Sequence, residues 1–180
     1  MLGFLDETGF SDRPTVRKTW APKGKTPIIA TAGGWKNRTL IGTIITDPFL
    51  KTQPKFYAMI PPKSVHAEDC IVYLKYLKRH LKNKKLILFW DGLSAHTAKI
   101  TKTFIAEQKD WLTIERTPTY APELNPAEYL WSAMKTKDLS STESANLQEL
   151  DVNIWRSVKR VCRSKTVLRG CLRASPLFKC

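Results

Sequence analysis

The amino-acid sequence predicts an α/β fold, a mixed five-stranded sheet with helices on both faces, and three observations carry that reading. Short strand-like segments joined by short turns, one of them (Arg38 to Thr46) rich in β-branched residues, follow one another in the first third of the chain, as in an antiparallel meander. From residue 64 onward, helically spaced apolar residues alternate with short apolar runs, as in units that set strands side by side in parallel. The chain has 180 residues, 42% of them hydrophobic. That is enough for one domain with a real core and too short to promise two.

The segment Leu2 to Phe10 is expected to open as a strand from its first residue and to end in an acidic, glycine-containing turn, with Asp6 ending the strand. Side chains alternate along a strand, so Asp6 shares a face with Leu2 and Phe4, and Glu7 takes the other. Because the chain starts inside a core strand, an upstream region is expected to be missing. Residues 13–31 carry Arg13, Arg17, Lys18, Lys23 and Lys25 around a Trp20-Ala21-Pro22-Lys23-Gly24 turn, with a short strand candidate at Ile28-Ile29-Ala30. Arg38 to Thr46 is a β-branched strand stopped by Asp47-Pro48. Phe56 to Ile60 is a shorter one, stopped by Pro61-Pro62.

Ser64 is expected to open a helix in which Ala67, Ile71, Leu74, Leu77 and Leu81 recur at helical spacing. The segment 85–91 is the central strand. Its run Leu86-Ile87-Leu88-Phe89-Trp90 stops at Asp91-Gly92 and reads as buried on both faces. A helix from about Ser94 to Gln108, burying Ala98, Phe104 and Ile105, leads to a strand at 112–117, which suits parallel neighbours. The proline-rich loop from Pro118 ends at a helix with clear start signals. Asn125 fits the N-cap, Pro126 the first helical position and Glu128 the third, a capping-box pattern with Leu124 and Tyr129 as staple. Ala127, Leu130, Trp131 and Met134 make its apolar stripe, and Trp131 reads as packing. After a polar break at 140–144, Leu147 to Val167 is expected to be helical. The chain divides into a core at 1–137 and a basic, mainly helical segment at 138–180, packed on or extending that core.

Thirty Lys and Arg against sixteen Asp and Glu give a net charge of +14, a balance that suits a polyanion. Lys75, Lys78, Arg79, Lys82, Lys84 and Lys85 form one acid-free cluster, and the stretch from Arg156 to Lys179 forms another. Nucleic acid is the expected partner. No apolar run approaches the ~20 residues needed to cross a bilayer, and no secretory leader follows Met1. An intracellular protein is therefore expected. None of the four cysteines forms a C-x-x-C pair or has a histidine at zinc-finger spacing. They are read as free thiols.

A carboxylate at the C-terminal end of a buried strand is costly unless a cation or hydrogen-bond donors satisfy it, and open α/β sheets place their chemistry there. Asp91 is accordingly a candidate metal ligand. Asp6 and Glu128 are its candidate partners, with Glu7 and Glu123 as alternatives. Phe4-Leu5-Asp6-Glu7, Phe89-Trp90-Asp91-Gly92 with His96, and the segment Tyr120 to Trp131 together resemble the DDE catalytic core of mariner-superfamily transposases, the bacterial insertion-sequence branch most closely. Leu-Asn-Pro-x-Glu-x-x-Trp is the most specific part, and the likeness runs to about residue 135.

The resemblance implies a ribonuclease-H-like fold in which the first and fourth strands are neighbours, with Asp6 near Asp91 and Glu128 facing them from a helix. It implies two Mg²⁺ or Mn²⁺ ions held by those three carboxylates, used to cleave transposon ends and to join them to target DNA. His96, Glu7 and Asn125 are candidate substrate contacts. Arg17, Lys18, Lys23, Lys25, Arg156, Lys159, Arg160 and Arg163 are candidate DNA contacts. The implied partner is double-stranded DNA, bound by a homodimer in a synaptic complex, with no membrane involved. The helix-turn-helix domain that precedes such cores is expected to be absent. The expected location is the bacterial cytoplasm and nucleoid, or a eukaryotic nucleus. Two other readings compete: a non-catalytic DNA-binding remnant of a truncated transposase, and a structure-specific nuclease of the same fold.

Overall fold

The fold is seen in a computed structural model that describes residues 1–12, 20–25, 36–82, 84–118, 121–139 and 144–178. The strand expected at Ile28-Ile29-Ala30, and Arg17, Lys18 and Tyr120, lie outside the described residues. Among the described residues five strands form one sheet: β1 (Leu2–Ser11), β2 (Asn37–Thr46), β3 (Lys55–Met59), β4 (Leu86–Trp90) and β5 (Leu112–Arg116). Their order is β3-β2-β1-β4-β5. The first three strands pair antiparallel, whereas β4 lies parallel to both β1 and β5.

The acidic turn expected near Asp6 does not form. β1 stays extended through Ser11 because β2 pairs with it along its whole length, from Leu2↔Thr46 to Ser11↔Asn37. On its other side β1 meets β4 only from Leu2↔Ile87 to Phe4↔Phe89. Asp6 therefore sits in mid-strand, just beyond the point where β4 stops. At that point β1 has an open side.

Strand alternation sorts the apolar residues into two clusters, one on each face. Leu5, Ile41, Ile45, Leu86, Leu88 and Trp90 pack against Cys70, Tyr73, Leu74, Leu77 and Leu81 of α1 (Ala67–Leu81), with Phe104 and Ile105 of α3 (Lys99–Ala106) beside them. Phe4, Phe10, Leu40, Ile44 and Phe56 pack against three further helices, α4 (Pro126–Ala133), α5 (Leu147–Arg163) and α6 (Val167–Ala174). α5 and α6 add Leu150, Ile154, Val158, Val161, Leu168, Cys171 and Leu172 to that second cluster. The result is a helix–sheet–helix sandwich. None of the described helices is long and apolar enough to cross a membrane.

Four local expectations change. α1 starts at Ala67 rather than Ser64, because the backbone N–H of His66 donates to Asp69 Oδ2 at 2.9 Å and closes the first turn there. β4 is buried on one face only: Leu86, Leu88 and Trp90 are covered, while Ile87 is 41% exposed because the α5–α6 layer lies over the β1–β3 side. The helix expected at 94–108 is two, α2 (Ser94–Thr97) and α3, separated by extended backbone at Ala98. The Thr101 hydroxyl fills that break by donating to Ala95 O at 2.8 Å, so Thr101, and not Ala98, is fully buried. Finally, α5 ends at Arg163, where Ser164 turns extended and its hydroxyl accepts the Val167 N–H that opens α6.

Candidate active site

Three acids reach one cleft from three different elements. Asp6 projects from β1 on the α4 side, Asp91 follows the last residue of β4, and Glu128 stands in the first turn of α4. The cleft has a volume of about 690 Å³, and Gly92, Arg116 and Asn125 are among the other residues of its wall.

Each carboxylate is held differently. Trp131, one turn along α4 from Glu128, donates its indole N–H to Asp6 Oδ2 at 2.8 Å. That contact depends on Gly42, the β2 residue directly across from Asp6. A Cβ at Gly42 would lie 2.5 Å from Trp131 Cη2 and 2.8 Å from Phe56 Cε2, so only glycine lets the indole lie against the sheet. Burial, reinforced by the negative charges of Glu128 and Glu7 and opposed by the Trp131 N–H, pushes the Asp6 carboxyl up to about 7.

Asp91 experiences the opposite balance. Burial pushes its carboxyl up, but the His96 hydrogen bond, the Leu93 N–H and the charges of His96 and Arg116 together hold it below the ordinary carboxylate range. His96 Nδ1 lies 2.5 Å from Asp91 Oδ1, and its Nε2 lies 3.1 Å from Glu7 Oε1. Burial disfavours the imidazolium, yet hydrogen bonds to Asp91, Cys70 and Glu7 win and push it up to about 11. Arg116, at the end of β5, donates to the backbone carbonyls of Asp91 and His96 and so pins the loop.

Glu128 is exposed; its backbone N–H donates to Asn125 O at 3.1 Å, and among the described residues its carboxylate has no hydrogen-bond partner. Only half of the expected capping box forms. Asn125 Oδ1 accepts the Ala127 N–H at 3.1 Å, while the Asn125 N–H is taken by Pro122 O at 3.0 Å. The Glu128 carboxylate is therefore released from capping and free to serve the cleft. Among the described residues no lysine or arginine side chain forms an ion pair with Asp6 or Glu128. Hard oxygen donors carrying uncompensated negative charge fit a hard divalent cation such as Mg²⁺ or Mn²⁺.

The family model for DDE superfamily endonucleases matches residues 1–151. The chain belongs to this family. No curated protein sequence matches it. Solved structures similar to this DDE endonuclease include the Mos1 strand transfer complex, at TM-score 0.67 and 18% identity, covering 97% of this chain and 51% of that one. The Mos1 transposase catalytic domain with raltegravir and Mn is similar at TM-score 0.63 and 16% identity, covering 98% of this chain and 78% of that one. The Mos1 mariner paired end complex with Mn is similar at TM-score 0.61 and 17% identity, covering 97% of this chain and 55% of that one. The match thus spans about half the length of the Mos1 chains in those two complexes. These likenesses establish the ribonuclease-H-like fold, with β1 and β4 adjacent as the sequence resemblance implied.

Within the DDE endonuclease, the other residues singled out from sequence fall in several places. Asn125 lines the cleft. His96 and Glu7 do not: His96 is 1% exposed, and Glu7 points to the α1 side of the sheet, so neither is open to a substrate in the cleft. Burial beneath the Asp91 loop removes them from that expected role. Lys23 and Lys25 are exposed. Arg156, Lys159, Arg160 and Arg163 line a separate groove along α5. There Arg160 is partly neutralised by Asp138, with Nε 2.7 Å from Oδ1. Gly42 and Arg116 escaped the sequence reading, and Trp131, read there as packing alone, also donates to Asp6. A lone glycine inside a β-branched strand is the one signal that could have pointed to a close approach at Gly42.

Proposed function

We propose that this DDE endonuclease is the catalytic domain of a DNA transposase, which cleaves phosphodiester bonds at transposon ends and joins the freed ends to target DNA. The observation that carries the reading is the convergence of Asp6, Asp91 and Glu128 on one cleft from β1, the end of β4 and the start of α4. In this reading the three carboxylates hold two divalent ions, Mg²⁺ or Mn²⁺. When bound, such ions activate the attacking water or 3′-hydroxyl and stabilise the leaving oxygen.

The protein's own residues prepare that site. Trp131 holds Asp6 by one oxygen, Oδ2, at the wall of the cleft. Arg116 holds the Asp91 loop in place through its carbonyls. Asn125 starts α4 without using Glu128. The α5 groove, with Lys23 and Lys25, offers cations to the DNA backbone, and double-stranded DNA is the proposed partner. Assembly as a synaptic homodimer is part of the same proposal.

The test is nicking of supercoiled plasmid by the purified chain in Mg²⁺, Mn²⁺ or EDTA, beside Asp91→Ala. Nicking that requires metal and disappears in the variant is expected. A folded, DNA-binding chain that never nicks in either metal would refute the catalytic reading and favour the DNA-binding remnant.

A further inference from the structure

Glu7 turns away from the cleft, yet it is tied back to it. Its Oε1 lies 3.1 Å from His96 Nε2, and His96 Nδ1 lies 2.5 Å from Asp91 Oδ1. The imidazole is 1% exposed and lies on Trp90, with ring centroids 4.0 Å apart. Arg116 holds the His96 carbonyl. A ring engaged at both nitrogens and packed on one face cannot turn without breaking both contacts.

Both hydrogen bonds to the Asp91 side chain, from His96 and from the Leu93 N–H, end on Oδ1. Oδ2 is left for the cleft. Glu7 Oε2, by contrast, is buried with no hydrogen-bond partner among the described residues. His96 is thus what compensates that carboxylate, and a buried charge of this kind persists only where its partner is fixed. Cys70 brings its sulfur to the same spot, with ligand atoms of Glu7, Cys70 and His96 all within 4.8 Å. Cys70 and His96 are only 2% and 1% exposed, so the cluster belongs to the core and is not an open coordination pocket.

We propose that Glu7 and His96 are positioning residues that fix the Asp91 carboxylate in one orientation, with Oδ2 presented for metal binding. The inference rests on Asp91 being a metal-holding carboxylate, as proposed above. Groups that orient a metal-binding side chain from behind typically contribute about 10–100-fold in metal affinity.

The experiment measures Mn²⁺ affinity by calorimetry, with thermal unfolding of the metal-free protein and plasmid nicking alongside. Glu7→Met removes the acceptor at similar side-chain length, whereas Glu7→Gln keeps an oxygen there. Glu7→Met is expected to weaken Mn²⁺ binding by about 10-fold or more, and saturating Mn²⁺ should restore most of its nicking. Glu7→Gln should bind close to wild type, and Glu7→Met should add little in a His96→Asn background. A folded Glu7→Met that binds Mn²⁺ like wild type, while Asp91→Ala does not, would overturn the positioning role and leave the metal reading intact. Wild type that neither binds Mn²⁺ nor nicks would overturn both. Should Glu7→Met not fold, His96→Asn against wild type gives the same decision by the same two outcomes.

Discussion

At the scale of single residues, the cleft is shaped by side chains that serve it from outside. Trp131 is the clearest: it fills the core with its ring and commits its one polar atom to Asp6. Trp131→Phe keeps most of the packing and deletes the donor. At pH 8 the variant should be less stable by about 1.5–3 kcal/mol, the range for a hydrogen bond to a charged group, and should nick plasmid more slowly. Denaturant unfolding and nicking rates check both; unchanged values for both would remove Trp131 from the site. Asp6 itself predicts a pH dependence. Its folded value of about 7 exceeds the ordinary 3.8, so the folded chain holds that proton more tightly than the unfolded one. Metal-free stability from this group is therefore full below 3.8 and declines as pH rises through about 7. Asp6→Asn should flatten that decline in melting curves recorded in EDTA, and identical profiles for the two proteins would contradict it. Asp91 and Glu128 stand where the sequence put them, after a strand and at a helix start, whereas Asp6, expected at a strand end, sits in mid-strand. The role of Trp131 was not legible, because its apolar spacing on α4 fully accounts for it as packing, and only the fold reveals where its N–H points.

Elements were more legible than their ends. The β-branched run at β2, the short run ahead of Pro61-Pro62 at β3, the apolar run at β4 and the capped start of α4 all stand close to where the sequence put them. What periodicity could not convey is local polar competition. A threonine hydroxyl satisfies a carbonyl at the α2–α3 break, and a serine hydroxyl separates α5 from α6. The length of β1 was hidden too, since a strand containing Asp-Glu-Thr-Gly is sustained only by its partner β2. α5 carries a prediction of its own. Arg156, Lys159 and Arg163 stand on one exposed face at helical spacing. Changing those three to Ala, and sparing Arg160 because it pairs with Asp138, should weaken DNA binding and make it less salt-sensitive, with each lost phosphate contact removing about 0.9 from the log–log slope. Anisotropy titrations over a salt series measure this. An unchanged slope would assign the groove some other role.

Across the whole molecule, two sheet faces do separate jobs. One carries α1 and α3 and is closed by Leu, Ile and Trp; the other carries α4, α5 and α6 and holds the cleft at its rim. The net charge of +14 reads as a balance that suits a polyanion, and the basic cluster from Arg156 onward was legible too; the fold adds that Arg156, Lys159, Arg160 and Arg163 line one groove along α5. The pairing of β1 with both β2 and β4 also sets an assembly constraint. Asp6 and Glu7 are consecutive residues with opposite destinations, one for the cleft and one for His96. A one-residue slip in β1 would exchange them, sending a longer acid to the cleft and a shorter one to the imidazole. The ladder from Leu2↔Thr46 to Ser11↔Asn37 is therefore a ruler as well as a scaffold. A misregistered chain could be compact and well packed and still be chemically mute, so folding fidelity here is decided by counting residues along two strands.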